Sequence, residues 1–249
     1  MQITLITPVR NNADTIGDCL RSVAEQTVDC QHIILDGGST DGTLEIIEKE
    51  KGTDAILISE PDQGMYHAIN KGLKLAACEV VGVLNSDDYY PNDAVLTTVV
   101  EAFLNPTVGA CYGDLQYVDK VDTAKMARYW RSGDYKRERF FGGWMPPHPT
   151  FFLRRHLYEK HGGYRLDMGT SADYELMLRM LLTHRVNAAY IPQVMVHMRN
   201  DGMSNVSLKS RIKANRSDRK AWRVNGIAPR PWTLIAKPLG KIGQWFSKV

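Results

Sequence analysis

Two adjacent carboxylates, Asp87 and Asp88, close a stretch that begins as the apolar run Val80-Val81-Gly82-Val83-Leu84 and continues through Asn85 and Ser86. An uninterrupted apolar run of this length fits a strand buried on both faces of a parallel sheet. The carboxylates then lie just past its carboxyl end, where open α/β sheets place their ligands. Paired carboxylates there suit a hard divalent cation that bridges them to the phosphates of a nucleotide. Acidic or polar loops recur after two earlier apolar runs, at Asp36 and at Glu60 and Asp62. Negative groups gathered on one edge repel unless something positive joins them, so their recurrence points to a site.

The elements that must position these groups alternate. Gln2 to Thr7 reads as a first strand that Pro8 ends, and Asp14 caps a helix running to about Gln26 with Ile16, Leu20 and Val23 on its buried side. A second strand, Gln31 to Asp36, runs into a turn with three glycines, Gly37, Gly38 and Gly42, and then a helix from Thr43 to Lys51. A third strand, Ala55 to Ser59, and a helix, Met65 to Ala76, precede the strand that ends at Asp87. Strand–helix alternation with short connections predicts a doubly wound, mostly parallel α/β sheet. Right-handed crossovers put the three acidic loops on one edge. Further on, a helix is expected over Asp93 to Leu104, with short strands at Val108 to Tyr112, Leu115 to Val118, Val186 to Ile191 and Val194 to Met198. Asp119 to Trp144 is polar, aromatic and irregular, the length of loop that usually carries function. A helix opens at Thr170-Ser171-Ala172-Asp173.

Five motifs now stand in order: Thr7-Pro8 with Asn11; Asp36 through Thr43; Asp62-Gln63-Gly64 followed by Ala68 to Gly72; Asn85-Ser86-Asp87-Asp88; and Ser171-Ala172-Asp173-Tyr174-Glu175. Their order and spacing resemble the family 2 glycosyltransferases, over roughly residues 1–204. The resemblance implies the GT-A fold, with a Rossmann-like nucleotide-binding half at 1–104, an acceptor-binding half at 105–205 and a helical tail at 206–249. It implies inverting transfer from a nucleotide-diphosphate sugar, usually a UDP-sugar, assisted by Mg²⁺ or Mn²⁺. Asp87 matches the last position of the family's Asp-x-Asp metal motif, and Asp88 is a second candidate ligand. Asn85 stands at the first position, where an amide can bond a ribose hydroxyl but adds no charge; Ser86 lies between. Asp36 resembles the base-reading aspartate, with Thr7, Pro8 and Asn11 bordering the same pocket; a strand-end cap of the glycine turn is the other role open to it. Asp62 resembles a nucleotide contact. Lys71 either approaches the phosphates or belongs to a solvated helix face. Asp173 resembles the general base that deprotonates the acceptor hydroxyl, although Thr170-x-x-Asp173 also spells a capping box. Glu175 is a weaker candidate for the base. His197 completes the metal shell or is structural, Arg199 pairs with phosphate, and His148 lines the acceptor side.

The net charge of +3 hides an asymmetry. From Val206 onward, eleven Lys or Arg face one acidic residue, Asp218, leaving the remainder near −7. A basic tail with Leu239, Ile242, Phe246 and Val249 on one helical face suits an anionic inner-membrane surface, or packs back on the domain. Nucleic acid is not expected as a partner, since no binding module accompanies the charge. The four cysteines show no CxxC or metal-ligand spacing, and no run approaches the roughly 20 apolar residues that span a bilayer. A reduced cytoplasmic setting is the simplest reading of the cysteines, and the resemblance implies a lipid-linked or polysaccharide acceptor at the membrane face. Two other readings compete. A non-catalytic nucleotide-sugar-binding subunit is compatible with Asn85. A nucleotidyltransferase would need a glycine-rich phosphate loop after the first strand, and residues 7–12 contain no glycine.

Overall fold

The structure, a computed structural model, describes residues 2–200 and 208–233. Four parallel strands form its N-terminal half in the order β3-β2-β1-β4: β1 (Ile3–Val9), β2 (Cys30–Asp36), β3 (Ile56–Ser59) and β4 (Val80–Val83). Helices α1 (Ile16–Ala24), α2 (Thr43–Glu50) and α3 (Met65–Leu75) connect them. Every β1 residue is buried, as expected of a strand covered on both faces. The register Val9↔Asp36↔Ser59 brings the strand ends level, so all the acidic loops emerge on one edge. β1 runs two residues past the expected stop. Its pairing with β4 ends at Ile6↔Val83, so the missing Pro8 N–H removes no ladder bond on that side. Asp14 does not cap α1; Thr15 occupies the cap position and makes no side-chain capping bond.

The sheet continues β4-β8-β6-β9-β5. Its further elements are β5 (Asp88–Tyr89), α4 (Val95–Phe103), β6 (Ala110–Asp119), β7 (Met126–Trp130), α5 (Arg137–Phe141), β8 (Phe152–Arg154) and α6 (Arg155–His161). After these come α7 (Ala172–Met177), which a π-helical turn continues over Leu178–Thr183, β9 (Ala188–Asn200) and α8 (Leu208–Val224). β8 runs antiparallel to β4 and β6, whereas β6 and β9 are parallel. At β4–β8 the backbone and a ring come so close that a Cβ on Gly82 would sit 2.3 Å from the Phe152 ring.

Two expectations are corrected. The four short strands of the second half are two long ones, because shifts of register at Gly113/Asp114 and Asp114/Leu115 bend the β6–β9 pair without ending it. The stretch 119–144 is not irregular throughout, since it contains β7 and α5. Arg128 occupies a buried β7 position with its guanidinium 3.9 Å from the Tyr117 ring centre. A charged residue facing inward hid the strand's alternation from the sequence.

Helix α8 packs on the domain. Trp222 is fully buried and its Nε1–H donates to Tyr174 Oη at 2.9 Å. Ser171 Oγ donates to Asp218 at 3.0 Å, and Lys220 pairs with Asp167 at 2.9 Å. These contacts hold the start of α7 from outside. Trp222→Ala should therefore cost roughly 3–5 kcal/mol in urea unfolding, since a large buried aromatic leaves a cavity; a loss under 1 kcal/mol would mean that α8 does not support the fold. The segment 201–207, with its glycine–serine motif, and the apolar stripe of 234–249 lie outside the described residues.

Candidate active site

The loop after β1 and the turn after β4 meet in a cleft lined by Arg10, Asn11, Asn12, Thr15, Ser86, Asp87, Lys120 and Arg199. Asn11, in a left-handed conformation (φ 49°), knits two loops together. Its N–H donates to Ser39 Oγ at 2.8 Å, and its side-chain oxygen accepts from Thr40 N–H at 2.8 Å. Asn12 Nδ2 donates to Ser86 Oγ at 2.8 Å. The result is a cleft holding one carboxylate and three cationic side chains, which is complementary to a diphosphate accompanied by a divalent cation.

The adjacent carboxylates part company. Asp87 borders the cleft, whereas Asp88 is fully buried beneath it. Asn85 Nδ2 donates to Asp88 Oδ2 at 3.2 Å, and Oδ1 has no hydrogen-bond partner among the described residues. Burial, and then the charge of Asp87, push the Asp88 carboxyl well above the usual range. An aspartate at position 85 would set another anion against Asp88; the amide donates a hydrogen bond instead. The site fits a hard cation. Mg²⁺ and its relatives take one or two protein carboxylates and complete their shell with phosphate and water. Asp87 would be the entry ligand, with the orphaned Asp88 oxygen below it.

Arg199 is anchored on three sides. It donates to the Asp87 carbonyl at 2.9 Å, pairs with the Asp18 carboxylate and lies over the Tyr89 ring. It thereby fixes the backbone that carries Asp87 while reaching the cleft. His197, expected as a further metal ligand, meets the Tyr89 ring edge-on at 5.1 Å, and burial lowers its pKa. Among the described residues no three His, Cys, Asp or Glu side chains gather into a metal cluster.

Asp36 is buried, and its oxygens accept from Gly38 N–H, from Ser39 N–H and Oγ, and from Ser59 Oγ at 2.6 Å. Burial disfavours the ionised form, yet the hydrogen bonds from Ser39, Ser59 and Gly38 outweigh it and hold the carboxyl below its usual range. Asp36 thus shapes the glycine turn. Asp62 lies against that turn: a Cβ on Gly37 would fall 2.8 Å from its Oδ2. Lys71 pairs with Glu60 at the end of β3. Thr7 and Pro8 are buried in the sheet and do not line the cleft, and Thr7 Oγ1 bonds His32 Nε2 at 2.9 Å.

His32 makes a pH prediction. Burial pushes its pKa down to about 4, against roughly 6.5 in the unfolded chain. Between those values the unfolded chain binds a proton that the folded one refuses, so stability drops as pH falls. The wild type should lose roughly 3 kcal/mol more than His32→Gln between pH 7 and pH 4 in urea titrations. Parallel curves for the two proteins would show that His32 ionises in place.

The carboxylate of Asp173 sits on the first turn of α7. No side-chain hydrogen bond caps that helix. Asp173 Oδ2 lies 3.3 Å from His148 Nδ1, and Tyr66 Oη donates to Oδ1 at 3.4 Å. Tyr66 is the second residue of α3, two after Gly64, so the loop that carries Asp62 leads to the helix turn that meets Asp173. Burial, and then the Asp173 charge, raise the Tyr66 pKa, so the phenol stays a donor. Glu175 is buried and binds Arg179 through both oxygens at 3.0 Å, which makes it structural. Sequence reasoning missed the part played by Arg10, Asn12, Asp18, Tyr66 and Lys120. No spacing rule singles them out, because they join the site only through the fold.

Comparisons with known proteins place this geometry. The family model described as "Glycosyl transferase family 2" matches residues 4–162. A mycobacterial relative, the "PGL/p-HBAD biosynthesis glycosyltransferase" of Mycobacterium bovis, is 31% identical over 209 residues, covering 81% of this chain and 78% of its own. The "Chondroitin synthase" of Pasteurella multocida is 29% identical over 183 residues, which is 72% of this chain but only 18% of that much longer protein. The fold matches a mannosyltransferase of Pyrobaculum calidifontis solved with GDP-Man and Mn²⁺, with a TM-score of 0.63, 19% identity, and 99% and 76% of the two chains covered. With the motifs, the sheet and the cleft in agreement, the chain belongs to glycosyl transferase family 2 and has the GT-A fold.

Proposed function

We propose that the protein moves one sugar from a nucleoside-diphosphate sugar, a UDP-sugar, to a lipid-linked or polysaccharide acceptor, with inversion at the anomeric carbon. The observation that carries this reading is the cleft at the sheet edge, where Asp87 stands among Arg10, Lys120 and Arg199. A diphosphate leaving group develops negative charge as the glycosidic bond breaks. Cationic side chains that line the cleft would stabilise that charge. A bound Mg²⁺ or Mn²⁺ would neutralise the leaving diphosphate, with Asp87 as its protein ligand. The turn organised by Asp36, with Asn11 and Asp62 beside it, would seat the base and ribose. A single displacement needs one base and no enzyme nucleophile, and Asp173 fills that place.

The membrane face rests on separate support. Arg216, Arg219 and Arg223 of α8 are exposed, and Trp232 is 54% exposed just beyond it. No helix among the described residues is long and apolar enough to cross a membrane, so contact would be with the surface. Sedimentation with anionic vesicles but not neutral ones is the expected result, and equal recovery with both would remove this part.

The donor is tested by thermal shift against UDP- and GDP-sugars, with and without Mn²⁺. A true donor at a hundred times its Kd adds about 2.7 kcal/mol, or roughly 5–10 °C for a chain of this size. No rise with any nucleotide sugar in either condition would end the proposal, and a rise confined to GDP-sugars would change the base.

A further inference from the structure

We propose that Asp218 and Trp222 of α8 are positioning residues for the transfer: they fix the turn of α7 that carries Asp173. This deepens the transferase reading above and rests on it. The phase of the helix carries the argument. Tyr174 and Glu175 follow Ser171 by three and four positions, the spacing that shares a helical face, whereas Asp173 follows it by two and lies on another. Each residue of the shared face bonds α8 or the residue just past it. Ser171 Oγ donates to Asp218 at 3.0 Å, Tyr174 Oη accepts the Trp222 Nε1–H at 2.9 Å, and Glu175 Oε1 accepts from Asn225 Nδ2 at 3.2 Å. Ser171, Tyr174, Glu175, Asp218 and Trp222 are all buried. Asp173, on its separate face, meets Tyr66 and His148.

Ser171 shows where the hold comes from. A serine just before a helix ordinarily turns its hydroxyl to the helix's own free N–H groups. Ser171 holds that position, makes no such bond, and donates to a carboxylate 47 residues further along the chain. The start of α7 is thus tied to α8 rather than capped by itself. The group that Asp173 meets is itself well held. The Tyr66 ring stacks on Tyr164 with centroids 5.5 Å apart, and Asn70 bonds both the N–H and the C=O of Tyr164, at 2.9 and 2.8 Å. With the Tyr66 side fixed, the place of the Asp173 carboxylate depends on what sets α7. A misplacement of about 1 Å at a reacting group can cost about 10²-fold in rate, and buried, mutually satisfied hydrogen bonds resist such a shift.

The test uses the full chain with Mn²⁺ and the nucleotide sugar that gives the largest thermal shift. The rate read is release of nucleoside diphosphate with water as the acceptor. Asp218→Ala and Tyr174→Phe each remove one bond between α7 and α8, whereas Asp218→Asn keeps an oxygen for the Ser171 hydroxyl. The expected result is kcat lower by about 10- to 100-fold in the first two, with donor KM and donor-induced thermal shift unchanged, and most of the rate recovered in Asp218→Asn. In an Asp173→Ala background, Asp218→Ala should slow the reaction no further, because a residue that acts through another adds nothing once that other is gone. A merely structural brace would cost the same factor in both backgrounds.

An unchanged kcat in Asp218→Ala and Tyr174→Phe, or a further fall in the Asp173→Ala background, overturns the proposal and leaves the transferase reading standing. If Asp218→Ala does not fold, Tyr174→Phe, alone and combined with Asp173→Ala, decides by the same criteria. A normal rate in every variant, Asp173→Ala included, removes the base assignment and this proposal with it. Absence of any donor shift in the wild type removes the transferase reading itself, and the proposal falls with it.

Discussion

Asp87→Ala should abolish the Mn²⁺-dependent part of the donor's thermal shift and lower transfer by about 10²–10³-fold, the loss seen when one preorganised charge partner is removed. Its own stability should move by less than about 0.5 kcal/mol, because Asp87 borders an open cleft and supports no core packing. The contrast with its neighbour sharpens the point. Asp88 is fully buried and receives the Asn85 amide, so Asp88→Ala disturbs the turn as well as the charge. A variant lacking Asp87 that still shows the full manganese-dependent shift would place the cation elsewhere, and with it the diphosphate.

Replacing Asp173 with alanine should have the other large effect, a loss of about 10²–10⁴-fold in transfer with donor binding retained. The sequence alone allowed a helix cap at this position. A lost cap would cost about 1 kcal/mol of stability and leave the rate nearly untouched. In the structure α7 begins at Ala172 without a side-chain cap, and the two oxygens of Asp173 meet His148 and Tyr66. Circular dichroism melts and initial rates on the same preparation separate the outcomes. A destabilised variant that transfers normally would return Asp173 to a structural part.

The shape of the N-terminal half was legible residue by residue. Apolar runs of strand length, amphipathic helices and glycine-bearing turns are local signals, and parallel strands joined by helices have few ways to assemble. Asp36, Asp62 and Asp87 therefore fall on one edge by sequence alone. The second half was harder for an equally physical reason. β6 and β9 owe their length to pairing with each other across a shift of register, and β7 carries an inward arginine whose partner, Tyr117, is remote from any local pattern. Helix α8 looked merely basic, since Trp222 and Asp218 find their partners some 48 and 47 residues away in Tyr174 and Ser171.

The identities and order of the chemical groups, the strand on which each is carried and the family to which they belong are properties of the chain itself. They follow from side-chain periodicity and from motifs read in line. Which of two neighbouring carboxylates borders the cleft, which histidine stands beside Asp173 and which arginine holds the Asp87 backbone were settled only by folding. Those outcomes depend on burial and on distances of about 3 Å between residues far apart in sequence, and such distances exist only once the sheet is assembled.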